Sequence, residues 1–113
     1  MPTVFIIGED WNLRAMLRAQ LRELGIDALG METADDMARP MAEGEMPSAV
    51  VLESGPGVES PATAELARHV PVIVVASGLE HLNLPEVAAI FHKPVRVGEI
   101  VARVMQVLKG QAA

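Results

Sequence analysis

The chain has no cysteine and no tyrosine, and its aromatic residues are one tryptophan and two phenylalanines. Without cysteine there are no disulfides and no thiolate metal sites, which fits a reducing compartment. With so few rings, a core has to be built mainly from Val, Ile, Leu, Met and Ala; hydrophobic residues make up 50% of the 113. No apolar run is long enough to span a bilayer, and no basic segment leads an apolar one at the N-terminus. The expectation is a soluble, cytoplasmic chain with no membrane partner. Positive charge is scarce as well. Nine Lys and Arg against fifteen Asp and Glu leave a net charge of −6, which argues against nucleic acid, whose phosphates require a basic face. Internal repeats, linkers and low-complexity segments are missing too. The length is that of one domain, taken here as 1–113, with room for a real core.

What is present is an alternation of two periods. Thr3–Ile7 is an apolar strand ended by Gly8-Glu9-Asp10. Leu13, Met16, Leu17, Leu21 and Leu24 then recur at helical spacing, with Asp10 or Asn12 to cap the start and Gly25 to close the end. Ile26–Met31 is a weaker strand. Thr33 begins the next helix with acids in its first turn, and Pro40 should kink or shorten it by removing a donor. A loop over 44–47 leads to the strand Ser48–Glu53. A Gly/Pro/Ser-rich connection (Ser54-Gly55-Pro56-Gly57) leads to a short helix over 62–69. Val70–Ala76 is the most apolar strand, with Pro71 at its entry. Residues 77–85 read as irregular, and Glu86–Ala89 as at most about one helical turn. Ile90–His92 is a short strand, and a last helix runs over 97–108, ending at Lys109-Gly110. Five strands alternating with helices imply an α/β, doubly wound parallel sheet covered on both faces by right-handed crossovers.

The stretch with most to say is Ser48-Ala49-Val50-Val51-Leu52-Glu53. Its apolar run reads as a strand buried on both faces, and it ends on a carboxylate. In open parallel sheets ligands sit outside the carboxyl ends of the strands, so Glu53 lies where a site is expected. Other candidates are weaker. His69, His81 and His92 share no metal-ligand spacing. Met16, Met31, Met37, Met41, Met46 and Met105 read as adaptable core filling, although Met37 and Met41 beside Pro40 could form a contact patch. No Gly-rich phosphate loop follows the first strand and no Ser/His/Asp nucleophile set is visible, which weighs against an unrelated doubly wound enzyme or flavin-binding protein.

Four pieces in the right order carry a family resemblance. They are Val4–Arg14 with the leucines after it, the strand ending at Glu53, the Pro71 strand ending in a small residue, and Phe91-His92-Lys93-Pro94. Together they resemble bacterial response-regulator receiver domains of two-component signalling, over the whole chain. The resemblance implies the flavodoxin-like sheet of order 2-1-3-4-5, here with shortened third and fourth helices. It also implies an Mg²⁺ site on an acidic pair after the first strand and a phosphoacceptor aspartate ending the third. Several of those positions are altered. The pair falls on Gly8 and Glu9, or on Glu9 and Asp10 with a slip of one. The phosphoacceptor position is Glu53, the hydroxyl position is Ala76, and the aromatic switch position is Ile90. Lys93 is kept, followed by Pro94, where the family commonly has a cis bond.

Each change has a chemical consequence. Gly8 offers no side-chain oxygen to Mg²⁺, which needs near-octahedral ligands at about 2.0–2.1 Å, so weak binding at Glu9 and Glu53 is the most expected, and no cofactor. Glu53 carries one methylene more than Asp, displacing its carboxylate by about 1 Å, a shift that can lower a rate about 10²-fold. Ala76 removes a donor to a transferred group. The reading is a degenerate receiver, not an enzyme, in which Lys93 pairs with Glu53 or Glu9 and the chain acts by binding. The implied partner is a histidine kinase or effector of a bacterial pathway, with a homodimer possible. The alternative is a working phosphoacceptor using Glu9 and Asp10 for Mg²⁺. Trp11 is either packed across the pocket mouth or a partner anchor, and Leu82 and Leu84 are further candidate contacts.

Overall fold

The computed structural model describes residues 2–55, 61–78 and 81–112. Pro56 and Gly57 of the connection after Glu53, and Leu79 of the irregular stretch, lie outside the described residues. Five parallel strands form one sheet: β1 (Thr3–Ile7), β2 (Asp27–Met31), β3 (Ala49–Glu53), β4 (Val72–Ala76) and β5 (Ala89–His92). Their order is β2-β1-β3-β4-β5, the doubly wound arrangement expected. The helices are α1 (Trp11–Glu23), α2 (Ala38–Ala42, entered through a 3₁₀ turn over Ala34–Met37), α3 (Pro61–His69) and α4 (Val97–Ala112).

Period-two alternation in the strands sorts the core into two layers. Val4, Ile6, Ala49, Val51, Ile73 and Val75 face Leu17 and Leu21 of α1 and Ile100, Val101 and Val104 of α4. Phe5, Ile7, Val50, Val72 and Val74 face the other way, under Met37, Met41 and Leu66. Burying each such side chain is worth roughly 1.5–3 kcal/mol, which explains how so few rings suffice. Asp10 caps α1 by accepting from Leu13 N at 3.1 Å. Gly25 ends it with φ +80°, a conformation that disfavours side chains, while its N–H donates to Arg22 O. The Asp36 carboxylate accepts from Thr33 N, tightening the 3₁₀ turn. α2, which contains Pro40, is only five residues long.

The second crossover layer is thinner than the sequence suggests. Glu86–Ala89 forms no helical turn; among the described residues no helix lies between β4 and β5. Val87 N donates to Leu84 O, and Ala88 N donates to Val72 O at 2.8 Å, so the backbone is already committed to the sheet. Residues 86–88 are also too few to repay helix nucleation. At the other end, α4 does not stop at Lys109-Gly110 but continues to Ala112, where Gln111 Nε2 donates to Ser48 O and ties it to the start of β3. Met16 and Met46 are exposed rather than core. Met37 and Met41 are half-buried against the second layer, so they offer no open patch.

Candidate functional site

Parity along the strands decides which side chains meet at the carboxyl edge. Glu53 follows Val51 by two, and Lys93 follows Phe91 by two, so both emerge on the layer shared with α1 and α4. Gly8 follows Ile6 by two and stands one step beyond the Ile7–Leu52 pairing, beside Glu53. The ends are held in register by Gly8 N to Met31 O, Ser54 N to Val75 O and Lys93 N to Ala76 O, all at 2.8–2.9 Å. Ser77 N adds a bond to Ser54 Oγ at 3.0 Å, lacing β4 to β3. The Lys93–Pro94 peptide bond is cis.

The Glu53 carboxylate folds back over Gly8. Its Oε1 accepts from Glu9 N at 3.0 Å and Asp10 N at 3.2 Å. Its Oε2 accepts from Lys93 Nζ at 2.7 Å, a short charge-assisted bond. Lys93 Nζ also donates to Asp10 Oδ2 at 3.1 Å. The acid that shares the lysine with Glu53 is therefore Asp10; Glu9 contributes its backbone N–H, and its side chain is exposed. The sequence alone points to Glu53 or Glu9 as the partner of Lys93; Glu53 is one, and Asp10 stands in place of Glu9. The N-cap bond from Leu13 N turns the Asp10 side chain toward the sheet edge, where its other oxygen meets Lys93.

The electrostatics follow from these bonds. The Glu53 side chain is 12% exposed and that of Lys93 28%, so neither charge is well solvated. Bonding to Glu53 foremost, and to Asp10, raises the Lys93 ammonium above its ordinary 10.5, against the opposing effect of burial. The Leu13 N–H, followed by the Lys93 ammonium, holds the Asp10 carboxyl below its ordinary 3.8. Two carboxylates lie side by side here, and the lysine between them compensates the repulsion.

The remaining candidates scatter. Ala76 is fully buried and Ile90 half-buried in the second layer, so neither presents a polar group or a ring to the edge. Leu84 is buried and Leu82 packs against the same layer; both serve the core instead of an outer contact surface, covering the sheet where no helix lies among the described residues. Trp11 is 66% exposed and lines a shallow depression with Arg14, Arg18 and Gly30. Its ring does not close the pocket mouth. His69 pairs with Glu65, His92 Nδ1 bonds Gly78 O, and His81 is exposed. Arg14 carries a role that no motif signalled: its Nη1 donates to Gly8 O, and its stem lies over Gly30, bracing the loop that presents Glu9 and Asp10. Beside the triad is a cleft of ≈ 300 Å³, lined by Gly8, Glu9, Thr33, Glu53, Ser54 and Leu66 among others.

An Mg²⁺ site of the kind the fold implies does not fit these residues. Gly8 has no side-chain oxygen to give, and its carbonyl already accepts from Arg14; both Glu53 oxygens already accept from N–H donors. A cation would have to displace Lys93 from two carboxylates. Among the described residues, no three His, Cys, Asp or Glu side chains are grouped to hold a metal.

No family model and no curated protein matches the chain. Solved structures do. A response regulator receiver protein from Burkholderia phymatum is 22% identical, with 96% of each chain covered and a TM-score of 0.71. The receiver domain of Francisella response regulator 1452 is 18% identical, covering 98% of this chain and 99% of its own, at TM-score 0.74. The signal receiver domain of an HD domain-containing protein from Pseudomonas fluorescens Pf-5 is 15% identical, covering 98% and 97%, at TM-score 0.79. At these identities the likeness is one of fold: the chain has the flavodoxin-like receiver fold.

Proposed function

We propose that this chain is a receiver-like interaction module of two-component signalling that works by binding a protein partner and does not accept a phosphoryl group. The observation that carries the reading is the closed triad. Glu53, the residue in the phosphoacceptor position, has its carboxylate bound by Glu9 N, Asp10 N and Lys93 Nζ. A carboxylate so held is a poor nucleophile, because attack by Oε1 competes with two backbone N–H bonds and attack by Oε2 with a charge-assisted one. The donors that could neutralise an incoming phosphoryl group are the same donors, already engaged. Ala76 supplies no hydroxyl in their place. A fixed negative charge thus stands where a transient one would come and go, and a histidine kinase or effector would meet a surface set in one state.

The test is incubation with acetyl phosphate and Mg²⁺, read by intact mass. No phosphoryl addition is expected on the wild type or on Glu53→Asp, since the shorter acid still faces Gly8 and Ala76. A mass increase of one phosphoryl group on the wild type would contradict the reading and favour a working phosphoacceptor. Mg²⁺ followed by amide NMR should give no saturation below the millimolar range; saturation at tens of micromolar, centred on Glu9 and Glu53, would also contradict it.

A further inference from the structure

The misfit of a metal at this edge has a structural cause that reaches beyond the individual losses. Gly8 is not a turn glycine: among the described residues positive φ occurs at Gly25 and Gly44, not at Gly8. Its backbone would accept any L residue. What excludes a side chain is Glu53. A Cβ built on Gly8 would lie 2.6 Å from Glu53 Cβ, 2.9 Å from Oε1 and 3.2 Å from Cδ. Two of those atoms belong to the folded-back end of the glutamate. The closest is its Cβ, which no change of rotamer can move. Gly30, also in an extended segment, offers a contrast: a Cβ there would meet Arg14 at 3.7 Å, an ordinary contact.

From this geometry we infer that Gly8 and Glu53 form one interlocked unit, in which the glycine admits a tethered anion to a nest made by Glu9 N–H, Asp10 N–H and Lys93 Nζ. The absent side chain at position 8 and the glutamate at position 53 are then coupled twice, through Cβ, which any side chain at 53 would present, and through the folded-back Cδ and Oε1 of the glutamate. The glycine creates the space, the longer acid fills it, and the backbone N–H groups and ammonium that would meet an outside anion are satisfied from within. The longer side chain is what allows the fold-back, since Oε1 must reach past Gly8 to two consecutive amides of the next loop. The unit is autoinhibitory in the literal sense: the nest's ligand is part of the chain, at an effective concentration no free small anion reaches. This deepens the binding-module reading and rests on the same site, but its test does not depend on phosphorylation.

A thermodynamic cycle over Gly8→Ala and Glu53→Gly, read by denaturant unfolding, tests the interlock. In the wild type, Gly8→Ala is expected to lower the folding equilibrium constant by a factor of about ten to a hundred, the range for overpacking. In Glu53→Gly, where the colliding Cβ is gone, the same change should be less than about threefold or mildly stabilising, as Gly→Ala usually is at a permissive backbone. Equal effects in both backgrounds would overturn the inference. The nest is tested separately. Acetate at about 100 mM, against chloride at equal ionic strength, should raise the melting temperature of Glu53→Gly by about 2 °C or more and leave the wild type unchanged. Acetate acting alike on both proteins would overturn it, and a failure of the labelling experiment above would leave both readouts intact.

Discussion

Glu53→Ala is expected to destabilise the protein by about 2–3 kcal/mol at pH 7, more than a half-exposed strand-end residue normally does. The truncation removes the acceptor of three hydrogen bonds at once. Hydrogen bonds to a charged group contribute about 1.5–3 kcal/mol each when buried, but water at the sheet edge recovers part of that for Glu9 N and Asp10 N. Lys93 keeps Asp10 as a partner, which limits the damage further. Urea unfolding of wild type and variant measures the difference; a change within about 0.5 kcal/mol would mean the carboxylate is ordinary surface.

Lys93→Met is expected to cost about 1–2 kcal/mol at pH 7, and progressively less as the pH falls below the ordinary 3.8 of Asp10. Exposed ion pairs are worth little, about 0–1 kcal/mol, yet this lysine is mostly covered and holds two acids apart. The Asp10 carboxyl is lowered in the folded state, first by the Leu13 N–H and then by Lys93. A lowered acid contributes stability that is present above its unfolded value and lost as pH falls through its folded one. Lys93 is raised, so its contribution is present below 10.5 and lost as pH climbs through its folded value. The penalty of Lys93→Met should accordingly be full between about pH 5 and pH 10 and shrink on either side. Equal destabilisation at pH 7 and pH 3 would assign the loss to packing of the lysine stem instead of charge.

Much of this arrangement was legible beforehand, for physical reasons that can be named. Burial on both faces makes β1, β3 and β4 continuous apolar runs, so their type could be read directly, while the order of the strands in the sheet and the Glu53–Lys93 meeting came from the family resemblance. Leu13, Leu17 and Leu21 marked α1 for a different reason, their helical spacing along its one covered face. What could not be read was set by contacts distant in sequence. Whether Glu9 or Asp10 faces the lysine depends on how the N-cap bond to Leu13 turns the side chain, and both acids read alike in the linear chain. Leu82 and Leu84 resemble a loose apolar patch until the sheet face they pack on, which carries no helix between β4 and β5 among the described residues, makes them cover. The steric dependence of Gly8 on Glu53 joins residues 45 positions apart and has no local signal.

The coupling between Glu53 and Lys93 is the most direct measure of the claim that an internal ion pair occupies this site. A double-mutant cycle with Glu53→Gln and Lys93→Met at pH 7, each variant keeping its side chain's size, isolates that term. A coupling of about 1 kcal/mol or more is expected, because the bond is short, charge-assisted and largely covered. Additivity within about 0.3 kcal/mol would contradict the account.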